Sequence, residues 1–246
     1  MNTNEFESEF NLLYDNIGSS AAPGLDAYEI SVYLTTAQEE LVKTAYTGND
    51  VIEKAFEGNE RRRRQLNELV KTNLSTTIIG GDSIVSNSVF FKIPNDVFYI
   101  INEQVKLSST DTCLNGKYIM VKPTTHDEFL VSMKNPFRKP NKNKAIRLDS
   151  SSIGSDKVVE IVSTYTPVEY KLRYVKKPRP IIITDIESNP DTSGLGLTID
   201  GMNTITECEL NPEIHREIIN RAVENAIRDY RENNLQSKIQ TNSRIV

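Results

Sequence analysis

The sequence predicts an α+β protein. Helices stand at both ends, a mostly antiparallel β-rich region with a short inserted helix lies between them, and a long C-terminal amphipathic helix runs into an extended tail. Three observations predict it. Apolar residues recur every three or four positions before residue 73 and again after residue 211, the spacing of one helix face. Between those limits the pattern changes to short β-branched and aromatic runs divided by Pro, Gly, Asn and Ser. Cap signatures stand where helices should begin, at Thr36, Thr125 and Asn211. The expected organisation is a helical region over 1–73, a β-rich domain over 74–207, a C-terminal helix over 208–234 packing with the N-terminal helices, and a polar tail over 235–246.

Phe6, Phe10, Leu13, Tyr14 and Ile17 place a helix over 5–17, closed by the Gly-, Ser- and Pro-rich breaker 18–24. Thr36-Ala37-Gln38-Glu39 has the form of a capping box. A helix from there to about Tyr46 would bury Ala37, Leu41, Val42 and Ala45. Asp50 offers a further cap ahead of Val51, Ile52, Ala55 and Phe56. A third helix, about 59–73, carries Arg61, Arg62, Arg63 and Arg64 and then Leu66, Leu69 and Val70. Helical spacing spreads the four arginines around its axis.

Residues 89–93, 97–107 and 117–122 read as strands, with a turn at Pro94-Asn95-Asp96. Thr125 and Glu128 frame a short helix with Phe129, Leu130 and Met133 inward. A Lys- and Asn-rich loop over 135–144 follows, then strands over 145–148, 158–163 and 169–175. Pro178 and Pro180 cannot donate to a ladder, so the chain should leave the sheet at 176–180 or lie on its edge. Residues 187–201 read as a long loop. Asn211-Pro212-Glu213 joins a side-chain cap, Pro at the first helical position and an acid at the positive dipole end. The helix it opens, about 22 residues long, carries Ile214, Ile218, Ile219, Ala222, Val223, Ala226, Ile227 and Tyr230 on one face.

At 246 residues the chain fits one large or two small domains, at about 150 residues each. Two cysteines, Cys113 and Cys208, exclude a disulfide scaffold. No apolar run reaches the roughly 20 residues of a membrane span, and residues 1–5 show no signal-peptide pattern. The expectation is a soluble protein of a reducing cytoplasm. Residues 1–60 hold twelve acids and two bases, a net −10, in a chain of net −5. Bases without acids follow in two strips. One holds Lys134, Arg138, Lys139, Lys142, Lys144 and Arg147; the other holds Lys171, Arg173, Lys176, Lys177 and Arg179. An acidic end and basic strips suit head-to-tail pairing of copies, and equally suit ordinary solvated surface.

No phosphate loop, nucleophile elbow or dinucleotide fingerprint is present. Cys113, His126, Cys208 and His215 stand singly rather than in the close pairs of zinc sites. His126 beside Asp127 and Glu128, and His215 between Glu213 and Glu217, have the neighbours of a general base. Each also lies in a helical first turn, where a structural role is the plainer reading. Cys208, at the entrance to the last helix, reads as a small buried hydrophobe. Asp185, Glu187, Asp191 and Asp200 do not match a calcium loop. No cofactor and no metal are expected.

Several stretches resemble virion structural proteins of crAss-like, short-tailed phages of gut Bacteroidales. They are EISVYLTTAQEEL at 29–41, IPNDVFYIINE at 93–103, VKPTTHDEF at 121–129, NPFR at 135–138, YVKKPRPI at 174–181 and CELNPEIHREIINRA at 208–222. None is a catalytic signature; they are packing and turn motifs taken in combination and order. The resemblance implies a non-enzymatic head-to-tail adaptor or tail ring subunit, commonly dodecameric, set beneath the portal and joining capsid to tail. Its partners would be copies of itself, the portal and other tail ring or tube proteins. DNA would pass through its lumen, and no membrane is involved. Such a protein resides in the virion after assembly in the host cytoplasm. Ring closure needs two different complementary patches on each copy. The expected contact residues are Arg61, Arg62, Arg63, Arg64, Lys171, Arg173, Lys176, Lys177 and Arg179, with Lys238, Ile239, Arg244, Ile245 and Val246 of the tail. Two other readings stay open: a hydrolase centred on His126, and a nucleic-acid-binding module using the basic strips.

Overall fold

The computed structural model describes residues 1–18, 24–48, 56–76, 78–80, 88–149, 156–188 and 194–232. Its helices are α1 (Thr3–Gly18), α2 (Ala27–Thr47), α3 (Glu60–Leu66), α4 (His126–Lys134) and α5 (His215–Glu232). Its strands are β1 (Val70–Ser75), β2 (Ile78–Ile79), β3 (Ser88–Lys92), β4 (Val97–Ser108), β5 (Tyr118–Pro123), β6 (Lys144–Asp149), β7 (Val158–Val162) and β8 (Thr166–Lys176). The chain divides into a helical unit, Met1–Leu69 with Pro178–Val246, and a sheet unit, Val70–Lys177.

In the helical unit α5 packs against α1 and α2. Phe6, Phe10 and Tyr14 of α1 and Ile218, Ile219, Ala222, Val223 and Ala226 of α5 are all buried, each large side chain contributing about 1.5–3 kcal/mol. Asn211 caps the Glu213 N–H at 3.0 Å, and a 3-10 turn over Pro212–Ile214 leads into α5.

The cap of α2, Asp26, stands ten residues before the expected Thr36. Asp26 accepts the Glu29 N–H at 2.7 Å, and Glu29 accepts the Asp26 N–H at 3.1 Å, a closed capping box. Thr36 lies mid-helix, and its hydroxyl donates to the Val32 carbonyl. The β-branched run from Ile30 to Thr36 hides the helix, but Ile30, Leu34 and Ala37 are buried at spacings of four and three. Leu41 and Ala45 are only half-buried. The further cap at Asp50 and the breaker residues 19–23 lie outside the described residues.

The expected third helix stops at Leu66. A 3-10 turn, Asn67–Leu69, follows, and then strand β1, so 70–73 are strand rather than helix. Leu66 and Leu69 satisfy the apolar spacing inside the helical unit, whereas Val70 pairs with Val175 at the start of a ladder that ends at Ser75↔Tyr170.

The domain boundary also falls elsewhere than at residue 207. After β8 the chain leaves the sheet, and 178 onwards belongs to the helical unit. Pro178 and Pro180 prevent continued pairing, and a polar row on α2 takes up the backbone groups instead. Gln38 donates to the Arg179 carbonyl at 2.8 Å, while Thr35 and Ser31 accept the Ile181 and Ile183 N–H groups at 3.1 Å. Beyond them, Ile182, Ile186 and Ile199 form a small core with Tyr28 and Val32. Within the expected loop, Asp200-Gly201 make a tight reversal with positive φ at both residues, closed by mutual Ile199–Met202 hydrogen bonds.

The sheet runs β1-β8-β4-β5-β6-β7-β3-β2. All pairs are antiparallel except β5 with β6, whose connection contains α4. The sheet curls until Phe91 on β3 stacks on Tyr170 on β8 at 5.8 Å. Its inner face holds Val105, Leu107, Ile119, Ala145, Ile161 and Leu172. Helix α4 covers the outer face of β6 and β7, setting Phe129 against Ile146, Leu148 and Val162. Leu130, expected inward, is exposed, as is Val131, because Phe129, Ser132 and Met133 form the packed face.

Candidate interaction surfaces

Charge separates between the two units. The helical unit's sequence holds 13 bases against 24 acids, net −11; the sheet unit holds 16 against 10, net +6.

The outer face of β1, β8, β4 and β5 presents exposed and half-exposed side chains along its strands. Strand alternation turns Thr72 and Leu74, Lys171 and Arg173, Asn102, Gln104 and Lys106, and Tyr118, Met120 and Lys122 to this side. Thr72, Asn102, Gln104, Lys171 and Arg173 frame a shallow depression of about 240 Å³. Lys106 and Lys171 place their ammonium groups 5.8 and 5.9 Å from the Tyr118 ring centroid. The Tyr118 hydroxyl donates to Glu169, which raises the phenol's pKa, and Lys106 lies 3.8 Å from the same carboxylate. Leu74 and Met120 are 53% and 68% exposed, so the face joins cations to apolar anchors.

The other expected contact residues scatter. Arg62 is buried and donates to the Thr44 carbonyl, closing the end of α2. Arg64 lies 3.9 Å from Glu60, and Arg61 and Arg63 are exposed on α3, so the four do not share one surface. Arg179 pairs with Glu209 at 2.7 Å. Lys176 and Lys177 are half-buried, and the Lys177 N–H donates to the Asp96 carbonyl. Lys238, Ile239, Arg244, Ile245 and Val246 lie outside the described residues.

Arg147 leaves its strip altogether. It is buried at 2.6 Å from Glu103, which also accepts the Tyr170 hydroxyl at 2.9 Å. Burial raises the Glu103 carboxyl, Arg147 opposes that rise, and burial raises the Tyr170 phenol. The rest of the strip brackets in sequence a residue that charge and periodicity do not single out. Phe137 is 89% exposed in a turn between Lys134 and Lys139. An aromatic flanked by Asn-Pro and Arg-Lys in a polar loop is the signal that marks it.

The histidines and cysteines do not assemble chemistry. His126 is exposed, with Nε2 2.8 Å from the Asp149 carbonyl. His215 is buried against the Phe6 ring rather than solvating a helix end; its Nε2 bonds to the Leu210 carbonyl at 2.9 Å, and burial lowers its pKa. Cys208 donates to Gln38 Oε1, and burial pushes its thiol up to about 11, away from reactivity. Cys113 is exposed. Asp185 accepts from the Glu187 N–H and Ser188 hydroxyl, and Glu187 from the Asn203 amide. Among the described residues no group of three or more His, Cys, Asp or Glu converges on a metal position. No described helix is long and apolar enough to cross a membrane.

A family described as phage tail ring protein 3/4 matches residues 1–238. Ring protein 3 of Bacteroides phage crAss001 is 40% identical over 230 residues, covering 92% of this chain and 95% of that protein. Ring protein 4/5 of the same phage is 38% identical over 249 residues, covering 99% of each.

Proposed function

We propose, from the premise that this chain belongs to the phage tail ring protein 3/4 family, that its copies close head to tail into a ring through its two oppositely charged units. Membership makes it a structural ring component of the tail and not an enzyme. The finer reading is a ring, dodecameric in the manner of tail connectors, set beneath the portal. It joins capsid to tail and contacts other tail ring or tube proteins. DNA passes through its lumen in the virion, after assembly in the host cytoplasm.

The observation that carries this reading is the charge partition, −11 on the helical unit against +6 on the sheet unit. A closed ring of identical copies needs two unlike, complementary patches on each subunit. Opposite charge on two compact units supplies them, speeds encounter and disfavours like-to-like docking. Lys171 and Arg173 on the open sheet face belong to the basic patch in this reading. Arg61, Arg63 and Arg64, Lys176, Lys177 and the tail residues stand as further contacts, for neighbours above or below. The chain's net −5 suits a lumen that passes phosphate without holding it.

Native mass spectrometry of the protein alone, and mixed with the portal of the same phage, tests the reading. A ring, or a symmetric complex formed only with portal, is the expected result. A monomer that ignores both its copies and the portal would overturn it.

A further inference from the structure

Strand register sets a pattern on the outer face of β1, β8, β4 and β5. Leu74 pairs with Lys171, Lys171 with Gln104, and Gln104 with Met120, so the four form one row across four strands. At about 4.8 Å per strand the row is roughly 14 Å long. An exposed apolar side chain stands at each end, with Lys171 between them. Arg173 lies in the adjoining row, paired with Thr72 and Asn102, and Lys122 follows Met120 on the same side of β5. Apolar anchors set among cations suit a partner that brings apolar side chains set among acids.

The helical unit carries a segment of that character. Between Arg179 and Arg216 the sequence holds seven acids and no lysine or arginine. Within this stretch Leu195 and Ile205 are 64% and 55% exposed, and Glu187, Asp200 and Glu207 are exposed with them. Hydrogen bonds and packing hold the segment in place. The Ile186 N–H donates to the Asn203 carbonyl at 2.9 Å, the Asn203 amide donates to Glu187 at 3.0 Å, and Ile182 and Thr206 exchange backbone bonds at 3.1 Å. Leu197 and Met202 pack on the Ile182, Ile186 and Ile199 core, while Gly194 and Gly196, both at positive φ, bend the chain on either side of Leu195. Glu187 lines the same shallow depression as these two glycines, which sets an acid close to the exposed leucine. Pre-ordering of this kind lowers the entropy cost of docking.

We infer that loop 194–207 of one copy docks on the outer face of β1, β8, β4 and β5 of the next copy, with Leu195 against Met120 and with Glu187 and Glu207 toward Lys171 and Arg173. The occupant is a second copy on local grounds. The face offers Lys122, Lys171 and Arg173 around exposed Leu74 and Met120, and the loop offers exposed acids around Leu195 and Ile205. Face against face, or loop against loop, would bring like charges together. Two unlike, complementary patches on each subunit make the heterologous contact that ring closure requires. The inference rests on the ring reading above and names the contact that reading leaves open.

The test uses Cys113→Ser protein carrying Leu195→Cys and Met120→Cys, treated with a short bis-maleimide after assembly, alone or on its portal. The expected result is a covalent ladder of subunits that is absent when either introduced cysteine is left out. Leu195→Ser should weaken subunit association by about 10- to 100-fold with an unchanged melting temperature, because Leu195 is mostly exposed in its own chain. A charge swap separates this contact from charge in general. Lys171→Glu with Arg173→Glu should abolish assembly, and adding Glu187→Lys with Glu207→Lys should restore it. Rings that form without the ladder and tolerate Leu195→Ser would overturn this contact and leave the ring reading standing, as would a swapped protein that melts normally yet does not assemble. Absence of any ring or portal complex from unsubstituted protein would overturn both.

Discussion

The two units bury polar groups by different means, and the difference separates what holds each together from what each offers a neighbour. In the helical unit the buried polar groups include neutral side chains that serve backbone: Ser31, Thr35 and Gln38 take up the 179–183 segment, and His215 holds the Leu210 carbonyl. Many of its acids stay on the surface, so its net charge is available for association. The sheet unit instead encloses an ion pair, Arg147–Glu103, and leaves one sheet face with Lys106, Lys122, Lys171 and Arg173 in water. Stability of the sheet unit therefore hangs on a charge that the sequence pattern assigns to the surface. Stability of the helical unit hangs largely on uncharged amides and hydroxyls, with the buried Arg62 guanidinium serving the Thr44 carbonyl.

The largest effect should come from breaking the buried pair. Arg147→Met leaves Glu103 buried without its cation, with an expected loss of about 3–5 kcal/mol in urea unfolding. Adding Glu103→Leu should restore most of that loss; a double variant as weak as the single one would show that Arg147 acts through packing alone. In the helical unit, Gln38→Leu strands the Arg179 carbonyl and should lose about 1–3 kcal/mol. A loss as large as that of Arg147→Met would erase the distinction between the units.

A pH titration sharpens the same comparison. Burial lowers the His215 pKa below its ordinary 6.5, against the opposing effect of its bond to the Leu210 carbonyl. The unfolded chain thus binds more protons than the native one between those two values. The stability contributed by neutral His215 is complete above pH 6.5 and is lost as pH falls through that window. Thermal melts should decline there, and the decline should flatten in His215→Phe. An identical decline in both proteins would assign it to other groups. The smallest effect on stability should come from Lys171→Glu with Arg173→Glu. Both side chains point to solvent, so unfolding should shift by no more than about 0.5 kcal/mol while assembly is lost.

Much of the fold is legible in the sequence because periodicity and caps agree there. Helix α1, the strands from β3 to β8, the cap at Asn211 and the exit of the chain at Pro178 all follow from local chemistry. The start of α2 does not, because β-branched residues from Ile30 to Thr36 imitate a strand, while the deciding Asp26–Glu29 box stands outside any obvious apolar run. Strand β1 is hidden likewise, since Leu66, Leu69 and Val70 fit a helix until pairing with β8 claims Val70. The surfaces are legible as charge and illegible as geometry. Arg62 and Arg147 look like members of basic clusters, yet each is drawn inward by a partner distant in sequence, Thr44 and Glu103. Phe137 is exposed on a hydrogen-bonded turn, whereas apolar residue type alone points inward.

Assembly through the charge partition is tested most directly by mass photometry across a salt series. Unsubstituted protein and Lys171→Glu/Arg173→Glu protein would be compared, each with portal as template. The expected result is closed oligomers that weaken steeply as salt rises, and none from the charge-reversed protein. Rings of the same size from both proteins, indifferent to salt, would contradict it.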